Sequence, residues 1–257
     1  MKPRLLFAAP VIIGAFHFVS CASTQKTAST APQATVDPAT AAAITGTVTL
    51  VGTPPTPRAI DMSASAACTQ LNPSPVASPV VVVGENGALA NVAVYVKDGL
   101  QNYRFEPPAD PVILDQRNCM YAPHVVALMA GQPLEIRNDD PTLHEIHRLA
   151  LHNRPWHAPQ PAGAAPFKAT FARPELAVPI LCSTHPWMQA FVFAFDHPYF
   201  AVTLQDGKFD LKNLPPGTYT IEAWHEQYKT LDQTVTLAPR ERKSISFAFS
   251  PTTLPNH

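Results

Sequence analysis

The chain has 257 residues, enough for one large or two modest domains that each bury a core. Its 18 basic and 19 acidic side chains nearly cancel and no basic block stands out, which excludes the electrostatic footprint of a nucleic-acid binder. Function has to be sought in the pattern of individual residues.

The first twenty residues have the form of an export signal. Lys2 and Arg4 are charged, Leu5 to Val19 is apolar, and small Ser20 and Cys21 close the segment. The apolar run is short for a membrane span, which needs about 20 apolar residues. Phe18-Val19-Ser20-Cys21 resembles the lipobox of bacterial lipoproteins, although Phe18 stands where leucine is usual and His17 interrupts the apolar run. That resemblance implies lipidation at Cys21 and a periplasmic protein anchored to a membrane; the other reading is an ordinary cleaved signal with an incidental cysteine. Residues 22 to 43 contain Val36 as their sole large apolar residue and are expected to be a flexible tether, because they cannot repay the entropy of ordering.

From there almost every stretch reads as strand. Alternation runs through Thr47-Val48-Thr49-Leu50, then Val92, Val94 and Val96, then Leu134 and Ile136, then Leu176, Val178, Ile180 and Cys182. It resumes in Phe209 and Leu211, Tyr219, Ile221 and Ala223, Val235 and Leu237, and Ile245, Phe247 and Phe249. The chain has 29 prolines, which leave no long helical period unbroken, so the expected class is all-β with sandwich or barrel architecture. Beyond Cys21 there are three cysteines, an odd count for an oxidising compartment. Context singles out Cys182 as the thiol in use, so Cys68 and Cys119 are expected to form a disulfide; the alternative leaves both as unpaired core cysteines.

Cys182-Ser183-Thr184-His185-Pro186-Trp187-Met188 offers a thiolate, an imidazole and a thioether within seven residues, directly after an alternating strand. Soft sulfur suits Cu(I), imidazole suits both oxidation states, and a thioether suits a weak axial position. The second imidazole needed for a trigonal set is His144, which closes Asn138-Asp139-Asp140-Pro141-Thr142-Leu143-His144 after the Leu134–Ile136 strand. Zinc sites seldom use thioether, so one copper ion held by His144, Cys182, His185 and Met188 is the expected cofactor. His147 alternates away from His144, and His124, His152, His157 and His225 have no ligand spacing.

These motifs resemble the cupredoxin family, and the short cysteine-to-methionine loop looks most like that of the amicyanins. Met120-Tyr121-Ala122-Pro123, then Gly131 and the strand to Asn138, follow the same family pattern. The resemblance implies a cupredoxin-like Greek-key β-sandwich over 111–197 that exchanges single electrons with redox partner proteins, a dehydrogenase or a cytochrome. Glu145 departs from the family, standing where an asparagine usually braces the ligand loops, and Thr184 keeps a backbone N–H where amicyanins have proline. Pro186 and Trp187, next to the ligands, form the expected docking patch, with the ring edge of His185 or His144 as the route for the electron.

Toward the C-terminus, Asp206-Gly207-Lys208-Phe209-Asp210-Leu211 and Leu214-Pro215-Pro216-Gly217-Thr218-Tyr219 place turn signals before strands. They resemble the carboxypeptidase regulatory-like, prealbumin-like β-sandwich, whose opening strands match Gly46-Thr47-Val48 and Ala90-Asn91-Val92-Ala93-Val94. This implies a discontinuous sandwich, 44–110 and 198–250, with the copper module set into it; the alternative is that 44–110 extends the copper module. Four protein ligands leave no open metal position, so an enzyme is not expected. The competing function is a non-catalytic copper-binding or adhesive, structural lipoprotein.

Overall fold

The computed structural model describes residues 35–251. The expected signal segment, lipidation at Cys21 and the tether as far as residue 34 lie outside the described residues. Elements follow in the order β1 (Ala42–Leu50), α1 (Ala66–Leu71), β2 (Ala93–Asp98), β3 (Val112–Arg117), β4 (Met120–Ala122), β5 (Val125–Met129), β6 (Pro133–Asn138), β7 (His144–Arg148) and β8 (Trp156–Gln160). They continue with β9 (Phe167–Thr170), β10 (Glu175–Cys182), β11 (Gln189–Phe195), β12 (Phe200–Val202), β13 (Lys208–Leu214), β14 (Gly217–His225), β15 (Lys229–Leu237) and β16 (Arg242–Phe249).

The fold is all-β and consists of two sandwiches. One packs the sheet β13-β1-β16 on the sheet β12-β2-β14-β15, and the other packs β4-β3-β6-β9 on β5-β11-β10-β7-β8. Each has its own core. Ile44, Val48, Val94, Phe209, Tyr219 and Phe247 belong to the first, and Leu114, Ile136, Ile146, Phe171, Ile180 and Val192 to the second. The inward side chains are those that alternation selects, because successive residues of a strand face opposite ways.

β2 and β11 are buried on both faces. Val94 and Val96 point into the first core while Ala93 and Tyr95 meet Phe191, Phe193 and Phe195 of β11, whose alternate residues Ala190, Val192 and Ala194 enter the second core. The inner sheets of the two sandwiches therefore share an aromatic layer, with Trp224 on Phe193 at 4.9 Å and Tyr95 on Phe195 at 4.8 Å between ring centroids. The continuous apolar run Ala190–Phe195 is what a strand buried on both faces requires.

Three expectations need correction. The tether does not extend to residue 43, since Ala42 and Ala43 are buried in β1, where small side chains allow close strand pairing. Within 44–110, the stretch around α1 packs on the second core rather than the first, through Met62, Cys68, Ile60, Leu71 and Val76. The physical reason is the Cys68–Cys119 disulfide, which ties α1 to the turn between β3 and β4, supported by Asn72 Nδ2 donating to the Asn118 carbonyl at 2.9 Å. Finally, Leu176 faces solvent, because a bulge between Glu175 and Val178 shifts the register of β10 and restores the alternation only from Val178 onward.

Candidate metal centre

Cys182 ends β10 and His144 begins β7, and these two strands are paired with Cys182 opposite Ile146. The pairing brings both residues to the same end of the sandwich, where the β10–β11 loop returns His185. His144 Nδ1 lies 3.0 Å from His185 Nδ1, and Cys182 Sγ lies 3.9 Å and 3.7 Å from those two nitrogens. All three are buried, with His144 at 0%, His185 at 2% and Cys182 at 3% exposure. Met188 is fully buried in the core that also holds Cys182. Its backbone closes the loop: Met188 N–H donates to the His185 carbonyl at 2.9 Å and Cys182 N–H to the Met188 carbonyl at 3.3 Å.

The triangle fits a metal ion. Nitrogens at about 2.0–2.1 Å and a thiolate at about 2.3 Å from one ion stand roughly 3.3–3.8 Å apart for tetrahedral to trigonal angles, close to the three observed separations. Without a proton or cation between them, two imidazole nitrogens facing each other at 3.0 Å would repel through their lone pairs.

Asp140 is the site residue that sequence reasoning missed. Its carboxylate is buried and accepts from His144 Nε2 at 3.0 Å, from Asn118 N–H at 2.6 Å and from Cys119 N–H at 2.8 Å. With Nε2–H donating to Asp140, the lone pair of His144 sits on Nδ1 and faces the triangle, the arrangement that orients metal-binding imidazoles. The signal was present in the sequence as an acidic residue four positions before His144, beside Pro141. Asn138 holds that turn, accepting from Asp140 N–H at 3.0 Å and donating to the Thr142 and Gln160 carbonyls at 2.9 and 2.8 Å.

The bracing that an asparagine at position 145 would supply comes from the backbone instead, as Ser183 N–H donates to the Glu145 carbonyl at 2.9 Å. On the other side, Asn118 and Cys119 both adopt φ of 54° in the two-residue turn between β3 and β4. This left-handed backbone is costly for cysteine, and the Asp140 carboxylate together with the disulfide offsets the cost.

Burial pushes the Cys182 thiol up, but the His144 ring and backbone hydrogen bonds of Glu145, His185 and Thr184 outweigh it and hold the thiol below its usual range. Burial disfavours the charged form of His144 too, yet Asp140 and Cys182 raise it overall. His185 is lowered by burial and by the facing His144, which favours its neutral ring.

The expected docking residues divide. Pro186 is exposed, whereas Trp187 is half-buried, 5.2 Å from His185 between ring centroids, with Nε1–H donating to the Cys119 carbonyl at 3.0 Å. Neither His144 nor His185 presents a ring edge at the surface, contrary to expectation: their exposures are 0% and 2%, and the Trp187 ring packs on His185. Trp187 in turn lines a groove of about 770 Å³ that runs along Pro57 and Ile60 to Tyr228.

No protein-family profile matches the chain, and a comparison with curated proteins finds no match. Among solved structures, part of the chain is similar to a copper-containing nitrite reductase from Thermus scotoductus SA-01, at TM-score 0.32 and 19% identity over 39% of this chain and 25% of the other, so it spans about a quarter of the reductase. A purple cupredoxin from Nitrosopumilus maritimus is similar at TM-score 0.28 and 20% identity over 33% of this chain and 97% of that one. Amicyanin from Paracoccus versutus gives TM-score 0.27 and 17% identity over 39% of this chain and 96% of that one.

Proposed function

We propose that the chain is an exported mononuclear blue-copper protein, a one-electron shuttle between periplasmic redox partners and not an enzyme. One observation carries this reading: two imidazole nitrogens and a thiol sulfur, brought by two separate loops, form a buried triangle with sides of 3.0, 3.7 and 3.9 Å. Copper bound there would supply reversible one-electron transfer between Cu(I) and Cu(II), for which mixed sulfur and imidazole donors are suited.

The residues divide the work. Cys182 would present its sulfur as thiolate, His144 and His185 would present Nδ1, and Met188, buried in the same core, would offer its thioether as a weak fourth donor. Asp140, Asn138 and the Cys119 turn fix the loops, so little has to reorganise when an electron arrives or leaves. With four donors from the chain no position stays open for a substrate, which sets this reading apart from a copper enzyme. Trp187, between His185 and the groove, is where a dehydrogenase or cytochrome would approach; the lipid at Cys21 and the tether would hold the sandwich pair within reach of it.

The test is the visible spectrum of the protein with Cu(II), before and after ascorbate, beside Cys182→Ala. The expected result is an intense thiolate-to-copper absorption that bleaches reversibly and is missing in the variant. A colourless protein that takes zinc or no metal would replace this reading with that of a structural β-sandwich lipoprotein.

A further inference from the structure

The outer face of the β7–β8 pair carries three side chains with metal-binding atoms that take no part in the buried triangle. His147 and His157 stand opposite one another in the antiparallel register, their ring centroids 6.1 Å apart at an interplanar angle of 61°. Glu145, two residues before His147 and therefore on the same face, brings Oε2 to 4.0 Å from His157 Nε2. His147 Nδ1 is 3.0 Å from Ser183 Oγ. With Nδ1–H donating to that hydroxyl, the tautomer is set and Nε2 carries the lone pair, as in imidazoles whose outer hydrogen bond orients them for a metal.

The spacing is wider than a bound ion needs, so binding would draw the three side chains together. Two imidazoles and a carboxylate at about 2.0–2.1 Å from one ion put ring centroids about 4.5–5.2 Å apart and nitrogen and oxygen about 2.9–3.3 Å apart, for angles from square to tetrahedral. The observed ring separation exceeds that by about 0.9–1.6 Å and the nitrogen–oxygen separation by about 0.7–1.1 Å, gaps that rotation of exposed and half-exposed side chains can close. The surface cavity there, about 570 Å³ and lined by His147, Trp156, His157 and Ser183, leaves room for water to complete the coordination.

We propose that Glu145, His147 and His157 form a second, solvent-facing site for a divalent transition-metal ion, with Cu²⁺ the ion it holds most tightly. Nitrogen and oxygen donors follow the usual order of divalent affinities, which peaks at Cu²⁺, and a thiolate-free set favours a tetragonal centre. The site is independent of whether copper occupies the buried triangle.

Cu²⁺ alone, titrated into the full chain and into His147→Ala and His157→Ala, tests it by electron paramagnetic resonance. The wild-type protein is expected to show a tetragonal Cu²⁺ signal with coupling to imidazole nitrogen. Each variant is expected to lose affinity for that ion by more than about tenfold, the lower bound for losing even an outer partner of a metal ligand. Any thiolate absorption from the buried triangle, present or absent, should be identical in all three proteins, as should their thermal midpoints, so failure of the blue-copper reading does not disguise failure of this one. Equal affinity and an unchanged tetragonal signal in wild type and both variants would overturn the proposal.

Discussion

Asp140 and Thr184 are where single atoms decide the chemistry of the site. Replacing Asp140 by asparagine keeps the shape but removes the charge that accepts from His144 Nε2, Asn118 N–H and Cys119 N–H. Metal affinity in Asp140→Asn is expected to fall about 10–100-fold, as for other outer partners of metal-bound imidazoles, measured by competition with a chromophoric chelator. An unchanged affinity would mean that the carboxylate only supports the turn. Thr184 contributes a backbone hydrogen bond that favours the charged sulfur of Cys182. Thr184→Pro removes that N–H, leaves the electron-rich reduced state less stabilised, and is expected to lower the reduction potential in spectroelectrochemical titration. A potential that stays the same or rises would contradict this role. The clustering of Cys182, His185 and His144 was legible because their types and spacing are rare together. Asp140 was not, because its meaning depends on the Cys119 turn, which is adjacent in space and not in sequence.

At the scale of elements, burial constrains β14 and β1 in different ways. His225 ends β14 fully buried; its Nδ1 accepts from Gln227 N–H at 3.1 Å and Tyr228 N–H at 3.3 Å, while Nε2 has no partner among the described residues. Burial, and then the charge of nearby His124, push its pKa down from 6.5 to about 4. The unfolded chain therefore takes up a proton that the folded one refuses. The stabilisation is full above about pH 6.5 and is lost as pH falls toward about 4, by on the order of 3 kcal/mol in all. Guanidinium midpoints at pH 7 and pH 5 are expected to differ less in His225→Asn than in the wild type; an equal difference would remove His225 from the account. In β1, a side-chain carbon at Gly46 would stand 2.1 Å from the Ile245 carbonyl oxygen and 2.5 Å from Phe209 Cζ. Gly46→Ala is thus expected to cost about 1–3 kcal/mol in chemical denaturation, and a cost below that range would show that the β16 backbone at Ile245 and the Phe209 ring can both give way. The Gly46-Thr47-Val48 opening was readable as a strand, as was the Leu214-Pro215-Pro216-Gly217 turn before Tyr219. The bulge in β10 was not readable, because the apolar spacing of Leu176 and Val178 is the same with or without it.

For the whole molecule, the shared aromatic layer is expected to make the two sandwiches unfold as one cooperative body. Phe193 is fully buried between Tyr95, Phe195 and Trp224. Phe193→Ala is expected to cost about 3–5 kcal/mol and to lower the melting of both sandwiches together, seen as coincident transitions by tryptophan fluorescence and far-ultraviolet circular dichroism. Two separated transitions in the wild type would contradict a single body. The parts of the split sandwich could be matched from sequence because their turn motifs are local. The crossing of the α1 stretch to the other core was hidden, since a disulfide joining residues 51 positions apart leaves no periodic trace.

The central claim, copper held by a thiolate and two imidazoles, is tested most directly by X-ray absorption at the copper edge on the copper-loaded protein and on Cys182→Ala. The account predicts one short copper–sulfur distance and two nitrogen neighbours in the wild type, with the sulfur neighbour absent in the variant. A wild-type spectrum with nitrogen and oxygen neighbours alone would contradict it.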